Sequence, residues 1–158
     1  MDETPALRRA VADDAAAVRV LTREAYAKWV PVIGREPLPM RADFDEAVRR
    51  HRIDLAFIDG GLAALIETID KGDHLVIENV AVAPAFQGRG LGRHLLTHAE
   101  RLTLDLGYGE VRLYTNKMFE ANIRLYLAVG YRIDREESSA LGVTVYMSKP
   151  LADAGTTA

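Results

Sequence analysis

The stretch VAVAPAFQGRGLGR, residues 80–93, decides the fold of this chain. It joins an apolar strand pattern to a glycine-rich turn, and the turn leads into the most regular helical pattern of the sequence. Glycines let main-chain N–H groups approach a ligand closely, and a helix start adds unsatisfied N–H donors and a partial positive charge. The turn at 87–93 is therefore predicted to cradle a phosphate or pyrophosphate, with Arg89 and Arg93 as local cations.

Two other glycine motifs do not fit this turn. The dinucleotide pattern G-x-G-x-x-G needs a third glycine where Arg93 stands, and it usually begins the first β-α-β unit rather than lying past mid-chain. The P-loop needs a Gly-Lys-Ser/Thr tripeptide, which the sequence lacks. A nucleotide-dependent oxidoreductase is therefore kept only as a competing hypothesis for the function. A tight strand-to-helix turn that binds no ligand is the alternative interpretation of the glycines.

Hydrophobic periodicity outside this stretch predicts the element order β-α-α-β-β-β-α-β-α-β-β. Strand meanders joined to two β-α-β crossovers imply an α/β domain whose single central sheet is mixed and mostly antiparallel. We expect about six to seven strands with helices on both faces. The strand over 74–82 is apolar on both faces except at Glu78 and Asn79, so it is predicted to be central.

The first half of the chain contains a predicted helix from Asp13, as N-cap, to Trp29, before Pro31. Its core-facing stripe is expected to include Trp29, while Tyr26 is a candidate for lining an acceptor pocket. A hairpin is predicted over 55–69 with Gly60 and Gly61 at its turn.

Length and composition exclude several classes of protein. With 158 residues, the chain is expected to form one domain over 1–151, followed by a flexible tail over 152–158. A net charge of -3 disfavours a nucleic-acid partner, and no apolar run is long enough to span a membrane. The absence of cysteine excludes disulfides and an acyl-cysteine intermediate, and fits a cytoplasmic protein.

Two kinds of polar residue invite a chemical interpretation. Glu78 lies in an apolar strand, where an unpaired carboxylate is costly, so it is either a general base or held by a hydrogen bond or ion pair. His94 and His98 share a helix face but have no accompanying carboxylates, so no metal site is expected.

The chain resembles the GNAT superfamily of N-acetyltransferases. Gln87, Gly90 and Gly92 match its Gln/Arg-x-x-Gly-x-Gly/Ala signature. Residues 78–84 look like the family's fourth strand, and residues 122–131 resemble its Asn-x-x-x-Tyr-x-x-x-Gly-Phe/Tyr segment.

The resemblance implies that acetyl-CoA is the co-substrate, lying between two splayed parallel strands that end near Val82 and Thr115. In that reading the main chain of the strand pairs with pantetheine, and the Val80 amide also polarises the thioester carbonyl. Amides of the turn hold the pyrophosphate, Asn122 contacts the cofactor, and Tyr126 protonates the departing thiolate. The residues assigned to cofactor binding are Val80, Ala81, Val82, Gln87, Gly88, Arg89, Gly90, Leu91, Gly92, Arg93 and Asn122.

The expected activity is therefore transfer of an acetyl group to a primary amine, with Tyr126 and Glu78 as catalytic residues. Because there is no cysteine, direct attack in a ternary complex is favoured over a covalent relay. The acceptor, a small-molecule or protein amine, is left open, and the resemblance allows a homodimer. The alternative is a non-catalytic CoA-binding sensor or partner module of the same fold.

Overall fold

A computed structural model of the chain describes residues 5–152. Helices and strands follow the predicted order, with one additional short helix. In chain order they are β1 (Ala6–Arg9), α1 (Ala15–Tyr26), α2 (Val30–Ile33), α3 (Phe44–Arg50), β2 (Arg52–Ile58), β3 (Gly61–Asp70), β4 (Leu75–Val82), α4 (Leu91–Asp105), β5 (Glu110–Asn116), α5 (Glu120–Ala128), β6 (Arg132–Ser139) and β7 (Gly142–Pro150).

The strands form one seven-stranded sheet in the order β1-β2-β3-β4-β5-β7-β6. β4 and β5 pair in parallel, whereas β1 with β2, β2 with β3, β5 with β7 and β6 with β7 pair antiparallel. The predictions of a mixed, mostly antiparallel sheet and of a central fourth strand are confirmed.

The parallel pairing of β4 with β5 is short. Its register joins Leu75–Ile77 to Val111–Leu113, although β4 continues to Val82 and β5 to Asn116. The register therefore leaves the carboxyl ends of both strands outside the parallel ladder, as expected for a splayed pair.

Packing divides the described chain into two compact units, residues 5–68 with 79–95 and residues 69–78 with 96–152. In the first unit, one core combines the apolar faces of α1 and α3 with β2 and β3, including Val18, Leu21, Phe44, Ile53, Leu55 and Leu65. In the second unit, the buried side chains include Leu75, Ile77, Leu96, Ala99, Val111, Leu113, Val145 and Met147. The expectation of one domain over 1–151 stays a prediction, and residues 153–158 of the expected tail lie outside the described residues.

The predicted course of the first helix is wrong at both ends. The helix begins at Ala15, after a 3₁₀ turn over Ala12–Asp14 that contains Asp13. The Asp14 carboxylate accepts from the Val11 amide at 2.7 Å at the start of that turn. At the other end α1 closes at Tyr26 into a 3₁₀ turn, and Pro31 lies in the first turn of α2, where its missing N–H removes no helical bond. Trp29 lies in the 3₁₀ turn over Ala27–Trp29 and is only half-buried, so it is not a core residue.

The hairpin between β2 and β3 is confirmed, but its turn is shifted by one residue. Asp59 and Gly60 have φ values of 51° and 81°, and Gly61 already belongs to β3. Two successive left-handed residues match the strand twist, and aspartate tolerates that conformation better than most residues.

Candidate functional site

The carboxyl half of β4 lies in the first unit and presents a defined main-chain edge. The Ala83 amide donates to the Ala63 carbonyl at 2.8 Å, so this residue faces β3. Because the main-chain groups of successive strand residues point to opposite edges, the carbonyls of Val80 and Val82 point away from β3. This is the edge to which the resemblance assigns the pantetheine arm.

Side chains already contact both of these carbonyls. The Tyr26 hydroxyl donates to the Val80 carbonyl at 3.3 Å, and Gln87 Nε2 donates to the Val82 carbonyl at 3.0 Å. Lys28 Nζ in turn donates to Gln87 Oε1 at 3.2 Å. Tyr26 thus contacts the edge of β4 directly, and Lys28 contacts it only through Gln87. Sequence periodicity did not reveal these contacts because the helical pattern was extended through both residues.

The turn after β4 is open at its glycines. Gly88 and Gly90 both have a φ of 81°, and a Cβ added at either would meet nothing within 4 Å. The Gly90 carbonyl accepts from the His94 amide at 3.1 Å, which begins α4, and Gly92 lies in the first helical turn. The left-handed glycines and the start of a long helix are the features that a pyrophosphate cradle requires.

Cations accompany this turn. The side chains of Arg89 and Arg93 are exposed, and the Arg89 guanidinium lies 5.2 Å from the centre of the Phe86 ring. Stacking on an aromatic ring restrains the guanidinium, and both arginines bring positive charge to the turn. The turn therefore fits the phosphate groups that the resemblance assigns to it.

Glu78 lies in the second unit and has a partner that the sequence analysis did not identify. Its Oε1 accepts a hydrogen bond from the Tyr114 hydroxyl at 2.7 Å. Alternation along β5 indicates that Tyr114 faces away from buried Val111 and Leu113, but it does not indicate which side chain Tyr114 meets. Within residues 5–152 the structure shows no cation paired with Glu78.

Asn122 and Tyr126 share a face of α5, as their spacing predicted. Both side chains are half-buried, and among the described residues neither has a hydrogen-bond partner for its polar atoms. Burial raises the pKa of Tyr126 to about 12, so its phenol is a weaker acid than the ordinary tyrosine that the sequence analysis assumed. The adjacent Tyr131 ring lies 5.9 Å away, centre to centre, and its buried hydroxyl also has no partner in the described chain.

The predicted site residues thus fall into two groups. Val80 to Arg93 belong to the first unit, whereas Glu78, Asn122 and Tyr126 belong to the second. Their individual roles stay predictions. In the part of the chain that the structure describes, no group of three or more His, Asp or Glu residues could hold a metal ion, and His94 and His98 are half-buried.

Comparison with known proteins points to one family. The model of the acetyltransferase (GNAT) family matches residues 17–131. A search of curated protein sequences returned no significant match. None of the described helices is both long and apolar enough to cross a membrane.

Solved structures share the fold at low sequence identity. PaiA N-acetyltransferase from Thermoplasma acidophilum, in complex with coenzyme A, is 20% identical with a TM-score of 0.79, covering 93% of this chain and 99% of that one. The ribosomal-protein-S18-alanine N-acetyltransferase from Escherichia coli is 21% identical with a TM-score of 0.77, covering 98% and 99%. YncA from Salmonella typhimurium, with its cofactor acetyl-CoA, is 18% identical with a TM-score of 0.71, covering 98% of each chain.

Proposed function

The chain belongs to the GNAT acetyltransferase family, and on this premise we propose that it transfers an acetyl group from acetyl-CoA to a primary amine. The observation that carries the proposal is the turn between β4 and α4, where two left-handed glycines open the main chain beside a helix start. Two solved structures of the same fold contain coenzyme A or acetyl-CoA, which supports the choice of co-substrate.

The binding half of the proposal assigns the phosphates to the turn. Main-chain amides over 87–93 would donate to the pyrophosphate, and Arg89 and Arg93 would supply positive charge. The Val80–Val82 edge of β4 would pair with the pantetheine arm. Since Tyr26 and Gln87 already donate to carbonyls of this edge, a pantetheine amide would share these acceptors or replace the side-chain donors.

The chemical half assigns proton transfers to two residues of the second unit. The acceptor nitrogen attacks the thioester carbonyl, and the C–S bond breaks to leave a thiolate. Glu78 would take the proton that the amine loses, directly or through water. Tyr126 would donate to the thiolate sulfur. Its raised pKa of about 12 keeps the hydroxyl protonated well above neutral pH, but makes it a weaker acid than an ordinary phenol.

The acceptor is proposed only as a class, a small-molecule or protein amine. Glu78 supports a cationic acceptor, because its described hydrogen-bond partner is a neutral phenol and its negative charge is left uncompensated. A half-buried carboxylate favours a nearby ammonium group, because each charge stabilises the charged form of the other.

Turnover of acetyl-CoA with an amine panel tests the proposal. Free thiol release and the mass of the acetylated amine would be measured together, across polyamines, amino sugars, amino acids and peptide N-termini. We expect thiol release matched by acetylated product, with intersecting initial-rate lines for a ternary complex rather than parallel lines. Tight CoA binding without turnover on any amine would instead establish a sensor or partner module, and stabilisation by NAD but not by CoA would contradict both readings.

A further inference from the structure

We infer that Tyr114 is a positioning residue that holds the Glu78 carboxylate in place for acetyl transfer. This inference rests on the function proposed above, in which Glu78 is the general base. The contact that carries it is the hydrogen bond from the Tyr114 hydroxyl to Glu78 Oε1 at 2.7 Å. Because one carboxylate oxygen is engaged, the other is left to receive a proton.

The position of this contact in the sheet is distinctive. The last paired residues of the parallel ladder are Ile77 and Leu113, so Glu78 and Tyr114 are the first residues beyond it on their strands. The side-chain hydrogen bond therefore links β4 and β5 at the residues that follow the last main-chain pair of the ladder. It would fix the carboxylate at the end of the parallel ladder.

The phenol is itself held from the opposite side. Tyr114 is paired directly with Tyr146 of β7, and their ring centres lie 6.1 Å apart with planes tilted by 38°. The Arg135 guanidinium covers the Tyr146 ring at 3.8 Å and bonds the Glu137 carboxylate. The stacked Tyr146 ring and Arg135 guanidinium restrain the orientation of the Tyr114 ring and hence the direction of its hydroxyl.

A neutral donor suits a base better than a cation would. A paired lysine or arginine would hold Glu78 equally well but would also compensate its charge and compete with a cationic acceptor. A phenol restricts rotation of the carboxylate and leaves its charge in place. In Tyr114→Phe we therefore expect a mobile carboxylate and a slower chemical step, with the binding of acetyl-CoA unaffected.

The test is a kinetic double-mutant cycle on the full chain with acetyl-CoA and the best amine of the panel. Tyr114→Phe should lower kcat by roughly 5- to 30-fold, while KM for acetyl-CoA stays within about twofold of the wild-type value. In Glu78→Gln the same tyrosine change should have almost no further effect, because the hydroxyl acts only through the carboxylate. The matched control is Tyr108→Phe, which removes a phenol–carboxylate hydrogen bond of the same 2.7 Å length, to Asp70 in the same unit, and should leave kcat unchanged.

The outcomes separate this inference from the function on which it rests. Equal kcat values for wild type and Tyr114→Phe, or losses that multiply in the double variant, would overturn the positioning role while leaving acetyl transfer intact. A loss confined to KM would also overturn it. A wild-type protein with no turnover on any amine would overturn the proposed function first.

Discussion

Gln87 donates a hydrogen bond from Nε2 to the main-chain carbonyl of Val82 at 3.0 Å, so the first residue of the glycine turn bonds back to the strand before it. Its other amide atom, Oε1, accepts from Lys28 Nζ at 3.2 Å. A side-chain amide can donate and accept at once, which a carboxylate or a hydrocarbon of the same length cannot do. The Gln87 side chain thus connects the start of the turn to the end of β4.

Gln87→Leu should weaken CoA binding by roughly fivefold to tenfold, because it keeps the side-chain size but removes the bond that closes the turn. Isothermal titration with CoA would measure the change. Lys28→Met is the comparison, since it removes the outer bond to Gln87 and leaves the bond to Val82. If the lysine variant lost as much affinity as the glutamine variant, the bond to Val82 would not be the one that matters.

Gly92→Glu should abolish CoA binding while the protein stays folded. The change places a bulky negative charge in the first turn of α4, where phosphate is expected, whereas substitution at Gly90 would add left-handed strain of about 1 to 2 kcal/mol and confuse the result. Binding would be measured by titration and folding by circular dichroism. Gly109→Glu is the control, because Gly109 is exposed and a Cβ there meets nothing within 4 Å. A folded Gly92→Glu protein with wild-type affinity would refute the placement of the phosphates.

Glu78→Gln should lower turnover by roughly 100-fold or more at neutral pH with CoA affinity nearly unchanged. The loss should shrink as pH rises, because more of the amine then arrives already deprotonated. Rates across pH 6.5 to 10 for the variant and wild type would measure it. Glu110→Gln serves as control, since that carboxylate pairs with Arg112 two residues along the same strand, β5. Normal turnover by Glu78→Gln at neutral pH would return Glu78 to a structural role.

Tyr126→Phe should reduce turnover by roughly 10- to 1,000-fold, a transition-state loss of about 1.4 to 4 kcal/mol. Because burial raises the pKa of Tyr126 to about 12, the phenol remains protonated and the ratio of wild-type to variant rates should be constant from pH 7 to 10. A ratio that collapsed near pH 10 would indicate an ordinary phenol.

Tyr131→Phe is the matched control for Tyr126→Phe. It removes a neighbouring buried hydroxyl that has no partner among the described residues, so activity should persist and stability should be unchanged or slightly higher. Full activity of Tyr126→Phe across thioester donors would leave Tyr126 as a packing residue.

Asp14→Asn should destabilise the protein by about 1 kcal/mol at neutral pH, because Arg8 is half-exposed and solvent screens its ion pair with Asp14. The Arg8 hydrogen bond and the Val11 amide lower the pKa of Asp14 to about 2, below its ordinary value of 3.8. A lowered pKa stabilises the folded state above the unfolded-state value, and that stability is lost as pH falls from about 4 through 2. Urea unfolding of both proteins at pH 7, 4 and 2.5 should show the difference shrinking; a constant difference would mean that charge is not its source.

Much of the fold follows from local pattern, because burial on one side of an element leaves a period in the sequence. The period of two predicted the strands, and the glycine turn followed by a helical period predicted α4 almost to the residue. Prediction failed where two local signals competed. Trp29 continued the helical stripe of α1, but the helix had already tightened at Tyr26, and Pro31 began the next turn instead of ending the last.

The sequence by itself determined the family resemblance, and it predicted the phosphate-binding role of the turn and the candidates Glu78 and Tyr126. These inferences depend on residue types at short fixed spacings. Only the tertiary structure showed that Tyr114 bonds Glu78 across 36 residues of chain, that Tyr26 reaches Val80 across 54, and that burial raises the pKa of Tyr126. The physical reason is distance along the chain: periodicity reports which side of an element is buried, whereas hydrogen-bond partners and desolvation depend on which elements become neighbours when the sheet assembles.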